Sequence, residues 1–109
     1  MTELRALPVL VQRSVERLVR AFAPERIVLF GSYAKGTRRA DSDVDLLVVA
    51  DIDGDRETHE RRVRQLSADC FPPIDVVLCT PDEVAHAESL ESPFLLSILG
   101  SGVTIYRRS

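Results

Sequence analysis

The sequence has few of the residues that build redox or zinc sites. It contains two cysteines, Cys70 and Cys79, and two histidines, His59 and His86. The cysteine spacing fits no zinc or redox motif, so we predict two reduced thiols among apolar residues in a cytoplasmic protein. No second histidine follows His59 at the zinc-protease spacing. Both histidines are therefore expected on helix surfaces rather than in catalysis.

Long apolar runs and a basic charge excess are also absent. No run approaches the roughly 20 residues that span a bilayer, and the first residues lack the basic and apolar regions of a signal peptide. The formal net charge is −3, whereas nucleic-acid-binding domains are usually basic. We expect a soluble protein that binds neither membranes nor nucleic acid directly. Its 109 residues suit one domain, with bounds 1–109.

Hydrophobic patterning predicts helices and strands in mixed order. Apolar residues at steps of three and four predict a helix over 2–22. Strands are predicted at 26–30, 43–49, 74–79 and 103–106, the last at an edge, and further helices at 55–69, from 81, and from 93, the last ended by Gly100 and Gly102. This order predicts an α/β or α+β fold in which helices flank a mixed sheet of about four strands. The loop over 32–41, with at most one helical turn, leaves the first two strands free to pair parallel or antiparallel.

Two carboxylates mark the start of the second strand. Asp43 and Asp45 are two residues apart, so both side chains face one side of the strand. Adjacent carboxylates repel unless a cation neutralises them, and Mg²⁺ is the common partner of carboxylates and substrate phosphates. Taken alone, this pair would more often be a turn residue and a strand-end surface residue.

The residues around the pair favour a functional site over a turn and surface pair. Gly31 and Ser32 follow the first buried strand, where a glycine lets backbone approach a phosphate and the hydroxyl and N–H groups donate to it. Lys35 and Arg38 add positive charge. Asp75 lies in the third, apolar strand, where a carboxylate is costly unless it is paired or metal-bound. Three acids and a phosphate loop at one end of a sheet suit two-metal phosphoryl or nucleotidyl transfer.

Two other motifs are excluded, each by residues that do not fit two of its key positions. The segment 31–38 nearly has P-loop spacing, but Thr37 stands where the P-loop needs lysine and Arg38 where it needs serine or threonine. The segment beginning at Asp51 suggests a calcium loop, but Arg56 occupies the place of its glycine and Arg62 that of its closing glutamate.

The segment 31–48, Gly-Ser-Tyr-Ala-Lys-Gly-Thr-Arg-Arg-Ala-Asp-Ser-Asp-Val-Asp-Leu-Leu-Val, resembles the signature of the DNA polymerase β-like nucleotidyltransferases. It is most similar to the minimal nucleotidyltransferases, the one-domain proteins of prokaryotes. The usual arginine is replaced by Lys35, which keeps the charge. The resemblance covers nearly the whole chain and includes Asp75 and the closing segment 98–106.

The resemblance implies a role for each of these residues. Asp43 and Asp45 would ligate two Mg²⁺ ions, and Asp75 would complete the acceptor-side metal site and serve as general base. Gly31 and Ser32 would hold the β- and γ-phosphates of ATP, with Lys35 and Arg38 as further nucleotide-binding residues. The reaction would transfer AMP from ATP to a hydroxyl and release pyrophosphate.

The resemblance also implies a partner. Many minimal nucleotidyltransferases are antitoxins that adenylylate a tyrosine of a HEPN-domain ribonuclease toxin, and a hetero-oligomer is possible in that case. No helical acceptor-binding domain is recognisable here, so another chain is expected to supply the acceptor. Two alternatives stay open at this point. One is a module that neutralises a partner by binding alone, and the less favoured one is transfer to a small molecule such as an aminoglycoside, because no acceptor pocket is evident in the sequence.

Overall fold

The computed structural model of the chain describes residues 5, 7–35, 43–87, 89 and 91–108. Helices and strands alternate irregularly along it. In chain order they are α1 (Val9–Phe22), β1 (Arg26–Phe30), α2 (Ser32–Lys35), β2 (Val44–Val49), α3 (Arg56–Leu66), β3 (Ile74–Cys79), α4 (Pro81–Ala85), α5 (Pro93–Ser101) and β4 (Val103–Arg107). No helix in the described ranges is both long and apolar enough to cross a bilayer.

The four strands form one mixed sheet in the order β3-β2-β1-β4. Strand β1 pairs antiparallel with both β2 and β4, whereas β2 pairs parallel with β3. The predicted mixed sheet and the edge position of the last strand are therefore confirmed. The direction of the β1–β2 pair, which the sequence left open, is antiparallel.

Helices cover both faces of the sheet, which explains the continuous apolar run in β2. One face packs against α1 and α3 and buries Leu46 and Val48. The opposite face packs against α5 and buries Leu47 and Val49. Because strand residues alternate between faces, Asp45 belongs to the face of Leu47 and Val49. We call this the carboxylate face.

The first helix differs from the prediction, whereas the last ends at one of its two predicted glycines. The predicted helix is interrupted at Leu7 and Pro8 after the helical Arg5, and α1 begins at Val9, because Pro8 at its N-cap is extended, with φ −54° and ψ 148°. Residues 1–4 and 6 of the predicted helix lie outside the described residues. Helix α5 continues through Gly100 to Ser101 and ends at Gly102, whose N–H donates to the Ile98 carbonyl at 2.7 Å.

Helix α3 is shorter than predicted, whereas the start of α4 agrees with the prediction. Ser67 is the C-cap of α3, and its hydroxyl donates to the Val63 carbonyl at 2.9 Å. Because the Ser67 hydroxyl bonds to a carbonyl of the preceding turn, the helix ends at Leu66. Thr80 and Glu83 form a capping box before α4, with each side chain accepting from the other residue's backbone N–H.

The cysteines are free thiols, as predicted. Cys79 is buried at the end of β3 and Cys70 is half-buried. Burial, followed by the nearby Glu83 carboxylate, raises the pKa of Cys79 to about 11. The Cys79 thiol is therefore protonated at neutral pH and acts as a small core residue. His86 is exposed as predicted, whereas His59 is half-buried and its ring lies 6.0 Å from that of Phe22.

Candidate active site

Three carboxylates lie at the end of the sheet where β2 and β3 begin. Asp43 precedes β2, Asp45 is the second residue of β2 and Asp75 the second residue of β3. Asp45 and Asp75 are direct partners in the parallel register, so their side chains share the carboxylate face. Asp43, two residues before Asp45, faces the same side by the same alternation. The sheet therefore brings together residues that are about 30 positions apart in the sequence.

Asp45 is the most enclosed of the three. It is half-buried, whereas Asp43 and Asp75 are exposed. Burial raises the pKa of Asp45, and the charges of Asp75 and then Asp43 raise it further. The raised pKa means that the ionised carboxylate is destabilised by its surroundings. A cation bound between these acids would relieve that destabilisation.

Asp75 is in a different environment from the one its sequence context suggested. The neighbours Ile74, Val76 and Val77 favoured a buried strand and hence a costly carboxylate. In the structure β3 is an edge strand and Asp75 is exposed. The expectation of a costly buried acid is thus wrong, and the position of Asp75 beside Asp45 is the stronger argument for a role.

Gly31 lies directly against Asp45. Its φ is +75°, a backbone conformation that only glycine adopts without strain. A Cβ atom at this position would lie 3.1 Å from the Asp45 Cγ and closer still to Oδ2. Phe30, the residue before it, pairs with Asp45 across β1 and β2. Both the turn and the close approach to the carboxylate therefore require glycine.

The remaining predicted nucleotide-binding residues follow Gly31. Ser32 and Lys35 are the first and last residues of α2, which contacts β1 and β2. The side chains of Ser32 and Lys35 and the whole of Arg38 lie outside the described residues. The roles given to these three residues stay predictions.

The three described carboxylates offer oxygen ligands, which Mg²⁺ prefers. No three His, Cys, Asp or Glu side chains form a ready-made metal-binding group in the described part of the chain. In the usual Mg²⁺ site, one or two carboxylates share the ion with substrate phosphates and water. Asp45, with its raised pKa and its contact with the Gly31 turn, fits such a shared ion.

A cavity lies on the face of the sheet opposite the carboxylate face, next to the edge strand that carries Asp75. It has a volume of about 310 Å³ and lies between α3 and β3. Asp75 lines one part of it, Val63 and Val76 are apolar lining residues, and Glu60 and Arg64 are charged ones. Nothing in the sequence indicated this cavity, because it forms between residues of two separate elements.

An aromatic pair borders the site on the side of β1. The rings of Phe30 and Phe94 meet edge to face, with centroids 6.0 Å apart and an interplanar angle of 87°. Phe94 is mostly exposed at the start of α5. Only the packing of α5 on the sheet brings Phe94 beside Phe30, so no local pattern in the sequence points to this contact.

Residues 11–97 match the sequence profile of a family described as a nucleotidyltransferase domain. The chain belongs to this family. This membership confirms the family resemblance of the segment 31–48. Among curated proteins it is similar to one from Methanocaldococcus jannaschii that is provisionally named a protein adenylyltransferase, with 52% identity over 31 residues. That match spans 28% of this chain and 31% of the relative.

Two solved structures share the fold of this chain. One is provisionally named a nucleotidyltransferase from Sulfolobus solfataricus, with a TM-score of 0.64 and 18% identity over 98% of this chain and 86% of that one. The other is a toxin–antitoxin with AMP-PNP, with a TM-score of 0.57 and 22% identity over 88% of this chain and 73% of that one. At these identities the likeness concerns the fold, and it confirms the predicted fold class.

Proposed function

We propose that this nucleotidyltransferase transfers AMP from ATP, with Mg²⁺, to a hydroxyl group of a partner protein. The observation that carries the proposal is the grouping of Asp43, Asp45 and Asp75 on the carboxylate face, with Gly31 against Asp45. Carboxylates that destabilise one another next to a glycine turn provide sites for a cation and for a phosphate chain.

The proposed roles follow from these positions. Asp43 and Asp45 hold Mg²⁺ together with the triphosphate, and Asp75 completes the acceptor side. When bound, Mg²⁺ supplies charge stabilisation to the phosphoryl oxygens. The Gly31 turn, the Ser32 hydroxyl, Lys35 and Arg38 bind the β- and γ-phosphates through N–H and O–H donors and positive charge.

The transfer step exchanges one bond for another at the α-phosphorus. The acceptor oxygen forms a bond to this phosphorus while the bond to the bridging oxygen of pyrophosphate breaks. The acceptor proton passes to the Asp75 carboxylate, which is exposed and thus accessible to an incoming hydroxyl. Pyrophosphate leaves from the Gly31 side, and the products are an AMP ester and pyrophosphate.

For the acceptor we propose a tyrosine of a HEPN-domain toxin, so that the enzyme acts as an antitoxin. Three observations support this choice: the family resemblance of the segment 31–48, the relative named as a protein adenylyltransferase and the shared fold with a toxin–antitoxin.

The direct test uses ATP labelled at the α-phosphate, Mg²⁺ and the purified partner. The wild-type protein is expected to label the partner, and the double variant Asp43→Asn with Asp45→Asn is expected to lose this activity. A matched control is Asp51→Asn with Asp53→Asn, two exposed carboxylates at the same spacing, which should label as the wild type does. Labelling by the Asp43 and Asp45 double variant would refute the catalytic assignment.

The same double variant separates catalysis from binding. If it neutralises the toxin without labelling it, the protein is an antitoxin that acts by binding. If the wild type labels an aminoglycoside and not the partner, the acceptor is a small molecule. Mapping the label to a tyrosine by mass spectrometry is the outcome that the proposal requires.

A further inference from the structure

An exposed aromatic ring lies on the carboxylate face, outside the acid cluster. Phe94 is 55% exposed, although it belongs to the helix that covers this face. Its ring makes an edge-to-face contact with Phe30, an arrangement that favours a fixed ring orientation. Phe30 is half-buried and packs at the border of the core of this face. The contact holds one part of the Phe94 ring and leaves the rest open to solvent.

The position of this ring relative to the acids suits a bound nucleoside. Phe30 pairs in register with Asp45, so the two side chains are direct neighbours on the carboxylate face. The Phe94 ring lies 6.0 Å from the Phe30 ring and is thus one side chain beyond the neighbour of Asp45. A ribose and its base that extend from an α-phosphate held near Asp45 can reach over Phe30 to this ring.

The side of the site on which the ring lies distinguishes donor from acceptor. Phe30 immediately precedes Gly31, on the β1 side of Asp45, where the triphosphate is expected. Asp75 lies on the β3 side, where the acceptor hydroxyl is expected. Phe94 therefore borders the donor half of the site and is separated from the acceptor half by β2.

We propose that Phe94 stacks against the base of the donor nucleotide, with Phe30 supporting its ring. This inference rests on the proposed nucleotidyl transfer and adds the contact that binds the nucleoside. Stacking on an aromatic side chain is tolerant of base identity, because every base has a π-face. The contact thus contributes affinity for the nucleoside and leaves the choice of base to other groups.

Calorimetric titration of ATP with Mg²⁺ tests the contact without any partner. Phe94→Ala is expected to raise the Kd for ATP about 5- to 150-fold, as loss of a base–aromatic stack does. It should leave the Kd for inorganic tripolyphosphate, which has no base, unchanged. Leu96→Ala is the matched control, since Leu96 is a 44% exposed apolar residue of the same helix, and it should bind ATP like the wild type.

A fluorescence version of the test exploits the absence of tryptophan from the chain. Phe94→Trp introduces a single reporter and preserves a stacking surface. Its emission is expected to be quenched by ATP and not by tripolyphosphate, with an ATP affinity close to that of the wild type. The control Leu96→Trp should show no quenching by either probe.

The outcomes separate this inference from the proposed function. If wild-type protein binds ATP and Phe94→Ala binds it equally well, the stacking role is refuted and nucleotidyl transfer stands. An equal loss of ATP and tripolyphosphate affinity refutes the base contact as well. A variant that keeps its ATP affinity but labels the partner poorly would assign the ring to the acceptor. If the wild type binds no nucleotide, the proposed function fails and this inference fails with it.

Discussion

Replacing Gly31 by alanine tests the contact between the glycine turn and the carboxylate at Asp45. The substitution adds one methyl group at a residue with φ +75°. The new Cβ would lie 3.1 Å from the Asp45 Cγ and closer to Oδ2. We expect the carboxylate to shift by about 1 Å, and a misplacement of that size can lower a rate by about a hundredfold.

The effect on stability has two parts that a control can separate. A non-glycine residue in this backbone conformation costs about 1–2 kcal/mol, partly offset by the lower entropy of the unfolded chain. Crowding against the Asp45 side chain adds about 1–3 kcal/mol. Gly54 has nearly the same φ, +74°, and nothing within 4 Å of its added Cβ. Gly54→Ala should therefore show only the first part.

Urea denaturation and the labelling assay measure the two consequences. Gly31→Ala is expected to be less stable than Gly54→Ala and to lose nucleotidyl transfer, whereas Gly54→Ala keeps it. In a background of Asp45→Ala, which removes the crowded atoms, the stability cost of Gly31→Ala should fall to that of Gly54→Ala. Equal stability of the two single alanine variants together with full activity of Gly31→Ala would refute the reasoning.

Three further predictions concern single residues. The folded-state pKa of Asp45 is raised, so the favourable contribution of Asp45 to stability is present at acid pH and is lost as the pH rises through that pKa. In EDTA at pH 7, Asp45→Asn should therefore melt at a higher temperature than the wild type. Mg²⁺ should stabilise only the wild type. A lower melting temperature of the variant would contradict this. Thr80→Ala removes the capping box at the far end of β3 from Asp75 and should cost about 1 kcal/mol in urea denaturation with labelling unchanged. Cys79, whose pKa is about 11, should resist iodoacetamide until the protein unfolds, as followed by mass spectrometry.

Local patterns in the sequence were sufficient to predict most helices and strands. The apolar run of β2 and the capping box at Thr80 involve residues within a few positions of each other, so their chemistry is readable without a fold. The start of α1 at Val9 was not predicted, because propensity competes there with packing. Leu7 is buried against α1 although a bend separates it from the helix, and Gly100 stays helical until Gly102 supplies the cap.

The candidate site also has one part that the sequence predicts and another that only the packing of the chain decides. The sequence alone determined which residues could carry the chemistry, because Gly31, Ser32, Asp43 and Asp45 lie in one short motif whose spacing is meaningful on a turn and a strand. Only the tertiary structure decided the antiparallel pairing of β1 and β2, the exposure of Asp75 on an edge strand, the cavity beside it and the approach of Phe94. Each of these depends on which strands become neighbours, and that choice is made by burial across the whole sheet rather than by any local pattern.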